Sequence, residues 1–332
     1  MKAVTFSTYG QPDEVCACTI VPDVGAPRGG EVVIEIVASA INPADLAMIK
    51  HVYPGPKPPA QLGIEGAGRI VEIGAGVNTL AVGDHVLSLD RANWAERVRL
   101  PTDRAIKIPK ELSFLDAAML KANPPTAHLM LIDYVNLKEG DWVIQNAANS
   151  GVGRHLIRLA KERGIKTVNV VRRDSLVDEL KAIGADVVLV DDDDLAERVR
   201  QTTGADANIP LAVDAVAGSA CQRLAESLSD DGTVVNYGFL SGDPCEITPQ
   251  QAIIHGISLT GFWLVGFMQR STPEEITAMY ADMADKFLDG TLNVPVEATY
   301  ALDDAKQALA HAYKERRDGK VLLLPNGPID PV

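Results

Sequence analysis

Apolar and polar positions follow two rhythms along this chain. Over residues 1–110, short runs rich in β-branched residues alternate with turn signals, and helical periodicity is nearly absent. Candidate strands cover residues 2–6, 31–38, 68–73, 85–88 and 95–100, several of them separated by turns at Gly74-Ala75-Gly76 and Val82-Gly83-Asp84. This pattern predicts a compact, barrel-like β domain. From Asp116 the rhythm becomes alternating: helical patterns at 116–118 onward and 126–134, then strand–helix units to about Trp263. Strands at 142–145, 167–171, 187–190, 211–214, 233–237 and 258–261 predict a parallel sheet. A helix at 273–289, a β segment at 296–301, a helix opening at Leu302-Asp303-Asp304 and a strand at 320–324 close the chain. This last part is expected to return to the β domain, so the fold class is α/β: a β-barrel-type domain (1–115 with 266–332) into which a doubly wound parallel-sheet domain (116–265) is inserted.

The turn between the strand at 142–145 and the helical pattern at 154–163 carries candidate chemistry. It reads Gln145-Asn146-Ala147-Ala148-Asn149-Ser150-Gly151-Val152-Gly153. A tight turn of small residues lets the backbone approach a pyrophosphate and aims a helix N-terminus at it. A glycine fingerprint would want glycine at Ala148 and Ser150, and only Gly153 falls in place. The next strand ends in Arg172-Arg173-Asp174, where an acidic residue would normally accept from the adenosine ribose. Two guanidinium groups suit a 2′-phosphate instead, which favours NADPH over NADH.

Composition narrows the classes. At 332 residues, 46% hydrophobic and 23% charged, the chain can bury two sizeable cores. The net charge of −14 argues against nucleic acid as a partner and requires any anionic ligand to be held by local basic groups. The longest apolar stretch, 252–268, is broken by His255, Ser258, Thr260 and three glycines, so a buried strand with its flanks is expected rather than a membrane span. Cys16, Cys18, Cys221 and Cys245 show no framework spacing, and reduced thiols are expected. Asp191–Asp194 is expected to be a solvated loop. The chain opens directly into a strand-like run with no basic or apolar leader ahead of it, from which a cytoplasmic location is expected.

Four local motifs carry a family resemblance. They are Ile41-Asn42-Pro43-Ala44-Asp45 with Met48-Ile49-Lys50-His51-Val52-Tyr53-Pro54, then Asn123-Pro124-Pro125-Thr126-Ala127, the Val143–Gly153 segment continued by Ile165–Arg172, and Gly261-Phe262-Trp263-Leu264. Over its full length the chain resembles the medium-chain dehydrogenase/reductase superfamily, and within it the zinc-independent 2-enoyl thioester reductases of the mitochondrial type. The resemblance implies a GroES-like catalytic domain and a Rossmann domain. In the zinc-dependent branch, ligands come from a cysteine after the second long strand, a histidine in Gly-His-Glu and a later cysteine or acidic residue. This sequence has Asn42 at the first place and Gly63-Ile64-Glu65 at the second, and no cysteine between Cys18 and Cys221. No metal is therefore expected.

What the resemblance implies for the site is specific. Tyr53 is the expected proton donor, since a phenol is protonated at neutral pH and can quench an enolate; its other reading is a packing residue at the entrance. Asn42, Tyr53 and Trp263 are expected at the substrate. Asn123 and Thr126 are expected near the nicotinamide or as helix caps. Asn149, Ser150, Gly151 and Val152 would line the pyrophosphate, with Arg172 and Arg173 on the 2′-phosphate. The family more often has Arg-Asp-Arg there, which leaves open which arginine bears the load. Tyr237, Gly238, Phe239 and Leu240 would pass the nicotinamide. Phe262, Trp263 and Leu264 would meet its carboxamide edge or form core, and Lys320 would lie near the cofactor or be a surface charge.

The implied activity is NADPH-dependent reduction of an enoyl-CoA or enoyl-acyl-carrier-protein. Two alternatives are a reductase of quinones or another activated alkene, and a non-catalytic nucleotide sensor. An acidic carrier protein would need a basic patch, for which Arg91, Arg97, Arg99 and Arg104, or Lys314, Arg316 and Arg317, are candidates. The apolar stretch at 257–264 predicts edge-to-edge pairing in a homodimer.

Overall fold

The computed structural model describes residues 1–314 and 316–329. Its chain forms two compact units, Met1–Ala122 with Thr272–Val332, and Asn123–Ser271.

The first unit begins with β1 (Lys2–Phe6) and β2 (Cys16–Ile20), which pair antiparallel from Lys2↔Ile20 to Phe6↔Cys16. The long strand β3 (Glu31–Ala40) follows, buried at eight of ten positions because sheet neighbours lie on both sides of it. The short β4 (Ala60–Gln61) pairs with β1. β5 (Ala67–Ile73), β6 (His85–Ser88), β7 (Arg97–Pro101) and β8 (Ala105–Lys107) then complete an antiparallel set in which β3 pairs with both β5 and β7. Val32, Ile34, Ile36, Ile70, Val86 and Val98 fill one core.

The segment between β3 and β4 holds a helix that hydropathy alone does not reveal, Pro43–Ile49. Its apolar positions, Leu46, Met48 and Ile49, are buried, but seven residues are too few to display a helical period. Proline at its first position supplies the start, and the Asp45 carboxylate accepts from Asn42 N at 2.9 Å, half of a capping box.

The second unit is a six-stranded parallel sheet. Its strands are β9 (Trp142–Gln145), β10 (Lys166–Val171), β11 (Val187–Val190), β12 (Leu211–Asp214), β13 (Thr233–Asn236) and β14 (Ser258–Gly261). Their order is β11-β10-β9-β12-β13-β14, the doubly wound arrangement in which chain direction across the sheet reverses beside β9. Two buried clusters form its core, one including Ile144, Val168, Ala212 and Val234, the other Ile157, Val171, Leu180 and Val188.

One expectation is corrected here. The stretch at 252–268 contains no buried strand: β14 lies at the end of the sheet, pairs with β13 alone, and is mostly exposed, as are Ile253 and Ile254. Among the described residues no helix is long and apolar enough to cross a membrane. The acidic run lies in a loop with Asp193 and Asp194 exposed, as expected, and it is also tied down: Arg223 grips Asp191 with two bonds of 2.7 Å, and Arg198 pairs with Asp192 and Asp194.

In the returning part of the first unit, β15 (Val296–Ala301) and β16 (Lys320–Leu324) are parallel, and β16 joins β3 through Leu322↔Ala40 and Leu323↔Ser39. Register with β3 places Lys320 at the start of a strand whose next three residues are fully buried.

Candidate active site

In the second unit the parallel register brings the carboxyl ends of the strands to one end of the sheet. Val213 lies opposite Gln145, Gln145 opposite Asn169, Asp214 opposite Asn236, and Asn236 opposite Gly261. The segments leaving those strands therefore emerge together: Asn146–Ser150, Arg172-Arg173, Tyr237–Leu240 and Phe262–Leu264. A doubly wound sheet binds its ligand at this end.

The turn after β9 is built from backbone outward. Ala147 holds a positive φ of 47°, and Ser150 N donates to Ala147 O at 2.9 Å. Ser150 then caps the helix Gly151–Glu162, its Oγ accepting from Gly153 N at 3.1 Å. At Gly153 a Cβ would sit 2.5 Å from Ala148 O, so only glycine lets the helix approach the turn this closely. Asn146 bridges to β12, donating to Asp214 Oδ1 at 2.6 Å and accepting from Ala215 N at 2.7 Å. The Tyr237 hydroxyl is buried beside Ser150 without a formed hydrogen bond, and burial pushes it above the usual phenol range. An orphaned donor next to a helix N-terminus fits an anionic ligand.

At the tip of β10, Arg172 is exposed and Arg173 half-buried. Neither has an acidic partner at salt-bridge distance among the described residues, whereas the nearby Arg154, Arg198 and Arg223 all do. Thr126 lies inside the helix Asn123–Ile132 as its fourth residue and is buried, which rules out a capping role for it; Asn123 opens that helix and is half-buried. Phe239, Leu240 and Trp263 are exposed at 41%, 62% and 47%, too open for core residues.

The first unit holds a buried polar cluster of its own, of which only Asn42 and Lys320 were expected as site residues. Asn42, Asp45, Glu65, Lys121 and Lys320 are all buried. Glu65 accepts from Asn42 Nδ2 at 2.6 Å and from Ala122 N at 2.7 Å. Lys320 Nζ donates to Asn42 Oδ1. Asp45 accepts from Ile64 N at 2.9 Å, and burial raises its carboxyl to about 7 despite its two amide donors. Lys121 Nζ donates to Ile64 O and Asp90 O at 2.5 Å each, and burial lowers it to about 7. Lys320 is likewise pushed down by burial. The hints for Glu65 and Lys121 were slight: a glutamate where Gly-His-Glu would place one, and a lysine just ahead of Asn123-Pro124.

Tyr53 follows the helix Pro43–Ile49 through two turns closed on Ala47 O, from Val52 N at 3.0 Å and Tyr53 N at 3.2 Å. His51 takes a positive φ of 60° to make that reversal. The ring is half-buried against the core that contains Ile41, Leu46 and Met48.

Of the candidate docking arginines, Arg97, Arg99 and Arg104 pair with Asp23, Glu31 and Asp90 at 3.4–4.0 Å.

Two family profiles match the chain: "Alcohol dehydrogenase GroES-like domain" over residues 28–110 and "Zinc-binding dehydrogenase" over 151–284. The mitochondrial enoyl-[acyl-carrier-protein] reductase of Caenorhabditis elegans is 36% identical over 93% of this chain and 90% of its own length. The solved complex of Etr1p with NADP and crotonyl-CoA superposes with a TM-score of 0.88 at 25% identity, covering 98% of this chain and 99% of that one. A putative NADPH:quinone reductase from Bacillus thuringiensis superposes at 0.90, also at 25% identity, covering 98% of each chain.

The zinc implied by one profile's description does not fit the residues present. Asn42 and Glu65 are hydrogen-bonded to one another, and an ammonium, Lys320, lies on Asn42. Among the described residues only Asp214, Cys221 and Cys245 bring three possible ligand atoms within 4.8 Å of one another. Asp214 is already committed to Asn146 Nδ2, Asn236 Nδ2 and the amides of Val216 and Ala217. Burial raises the Cys221 thiol, away from the thiolate a metal needs. The comparisons also correct the expectation of a cytoplasmic location, because the curated relatives are mitochondrial enzymes by name. With a curated relative above 30% identity aligned along nearly its whole length, the chain belongs to the mitochondrial-type enoyl thioester reductases of the medium-chain dehydrogenase/reductase superfamily.

Proposed function

We propose that the protein reduces the 2,3 double bond of a trans-2-enoyl thioester with NADPH, with Tyr53 as proton donor. The observation that carries this reading is that Asn42, hydrogen-bonded to Glu65 and Lys320, and the apolar Ile64 stand where two metal ligands would be. Nothing there acts as a Lewis acid on an unactivated carbonyl, so the acceptor must arrive activated by conjugation. NADPH supplies a hydride for the β carbon, and negative charge builds on the thioester oxygen. The chain's own work is to orient, to exclude water and to deliver a proton. The Ser150-capped helix and the Asn149–Val152 amides hold the pyrophosphate. Arg172 and Arg173, which have no acidic partner at salt-bridge distance among the described residues, take the 2′-phosphate. Tyr237–Leu240 and Phe262–Leu264 flank the nicotinamide, Lys320 reaches the cofactor, and Asn42 and Trp263 meet the substrate. Tyr53 passes its hydroxyl proton to the enolate and is reprotonated from solvent.

Tyr53→Phe tests the reading directly. Turnover of crotonyl-CoA should fall about 10²-fold or more, while NADPH affinity by fluorescence titration stays within about twofold. Full turnover in that variant would reject the role. The quinone alternative, kept in view by the fold of the Bacillus protein, predicts the opposite ranking of crotonyl-CoA and benzoquinone in steady-state assays. A homodimer is proposed as well. Among the described residues β14 has a partner strand on one side only, with Leu259 half-buried along it, and an open strand edge invites pairing with a second copy. A monomeric mass by light scattering would reject it.

A further inference from the structure

Glu65 has no part of its own in the proposed reaction, yet it is fully buried and both its oxygens are engaged, one of them by Asn42. Its neighbours form an ordered chain: Ala122 N to Glu65, Glu65 to the Asn42 amide, and the Asn42 amide to the Lys320 ammonium. The chemistry of the three groups permits one polarity. A carboxylate only accepts, an ammonium only donates, and an amide does one at each end. Asn42 must therefore turn Nδ2 to Glu65 and Oδ1 to Lys320. Asparagine at a helix N-cap ordinarily spends its side-chain oxygen on the helix. Here Asp45 supports the capping box from its own side, accepting from Asn42 N, while the Asn42 oxygen is also engaged by the Lys320 ammonium. A buried ion cluster maintained only for stability would be a poor choice, since apolar residues of similar volume usually serve as well or better.

We infer that Glu65 is a positioning residue of the reductase, which sets the direction of the Asn42 amide and through it fixes the place of the Lys320 ammonium. The inference rests on the reading of Lys320 as a cofactor contact. In Glu65→Gln, the glutamine oxygen takes the Ala122 amide and its NH2 faces Asn42. Asn42 then flips and turns its own NH2 toward Lys320, donor against donor, and the ammonium is driven off its place. Exchanging the two groups restores every bond. In Asn42→Asp/Glu65→Gln, the new amide donates to the new carboxylate, whose second oxygen accepts from Lys320, and the net charge equals that of the wild type.

The test compares wild type, Glu65→Gln and the exchanged pair. Glu65→Gln should weaken NADPH binding about tenfold, as loss of a bond to a charged group does, with a matching fall in kcat/KM for crotonyl-CoA. The exchanged pair should return to within about threefold of wild type. A purely structural role predicts no rescue, because the exchange puts two altered residues into the same core. An exchanged pair as impaired as Glu65→Gln overturns the inference, as does Glu65→Gln binding NADPH like wild type. Should Glu65→Gln fail to fold, Asn42→Leu breaks the chain at its middle and must weaken NADPH equally; unchanged affinity there overturns it. The ionisation of Lys320, followed by NMR of its labelled ε carbon without cofactor, is an independent readout. It should shift in Glu65→Gln and return in the exchanged pair, and an unmoved titration overturns the inference. Failure of the wild type to reduce crotonyl-CoA would instead count against the proposed function, leaving the binding and NMR comparisons to decide the role of Glu65.

Discussion

Burying an ammonium is costly, and Lys121 meets the cost with two carbonyl acceptors and nearby carboxylates rather than a single ion pair. Burial still dominates, and the amine falls from 10.5 to about 7. The consequence for stability has a definite sign. Between those two values the unfolded chain holds a proton that the folded chain does not, so this group's contribution rises with pH across the window. It is complete above the ordinary lysine value and is lost as pH falls through about 7. Lys121→Met abolishes that slope, which can reach about 1.4 kcal/mol per pH unit. Urea unfolding of both proteins from pH 7 to pH 10 should show the difference between their free energies changing steadily with pH. Parallel curves would mean that Lys121 stays charged inside the fold. The methionine also forfeits two hydrogen bonds, but that offset does not depend on pH and leaves the slope intact.

Elements differ in how openly the sequence announces them, and the turn after β9 is the clearest. Gly153 is required there because any Cβ would strike Ala148 O at 2.5 Å and Ala148 C at 2.7 Å, both backbone atoms that cannot swing aside. Gly153→Ala should push the helix Gly151–Glu162 off the turn, costing about 1–3 kcal/mol of stability despite alanine's better helix propensity. NADPH affinity should fall with it, because the same displacement moves the amides after Ser150; denaturation and binding curves both unchanged would refute the close-packing argument. The strands β6, β9, β11, β12, β14, β15 and β16 lie where apolar runs between turns put them, to the residue. β2 did not show itself, since Cys-Ala-Cys-Thr-Ile carries no clear alternation. The helix Pro43–Ile49 is shorter than two full turns and left no period to detect. Site residues carried by one continuous motif, such as Asn149–Gly153, could be read because their physics is local. The Glu65–Asn42–Lys320 chain could not: its bonds span 23 and 278 residues, and no local pattern encodes a pairing of that reach.

At the scale of the whole molecule, an excess of fourteen negative charges meets an anionic cofactor and a thioester whose carrier bears anionic phosphate. Binding must therefore come from a few placed cations and helix amides, not from the general field. The same economy applies to the chemistry. The chain keeps the two-unit architecture matched by the GroES-like and zinc-binding dehydrogenase profiles, but two positions that would ligate a catalytic ion have become Ile64 and an Asn42 amide bonded to a carboxylate and an ammonium. An ammonium hydrogen-bonded to Asn42 and a divalent cation cannot share that place, because like charges at such a distance repel strongly and the amide oxygen is already taken. The expected outcome is that exhaustive dialysis against dipicolinate leaves kcat with crotonyl-CoA unchanged within about twofold, whereas loss of a catalytic Lewis acid removes several kcal/mol of transition-state stabilisation. Elemental analysis of the same samples completes the measurement. Zinc at one equivalent per chain, removed by the chelator together with activity and restored with it, would show that the Asn42–Glu65–Lys320 arrangement opens to admit a metal; activity indifferent to the chelator leaves conjugation in the substrate as the source of electrophilicity.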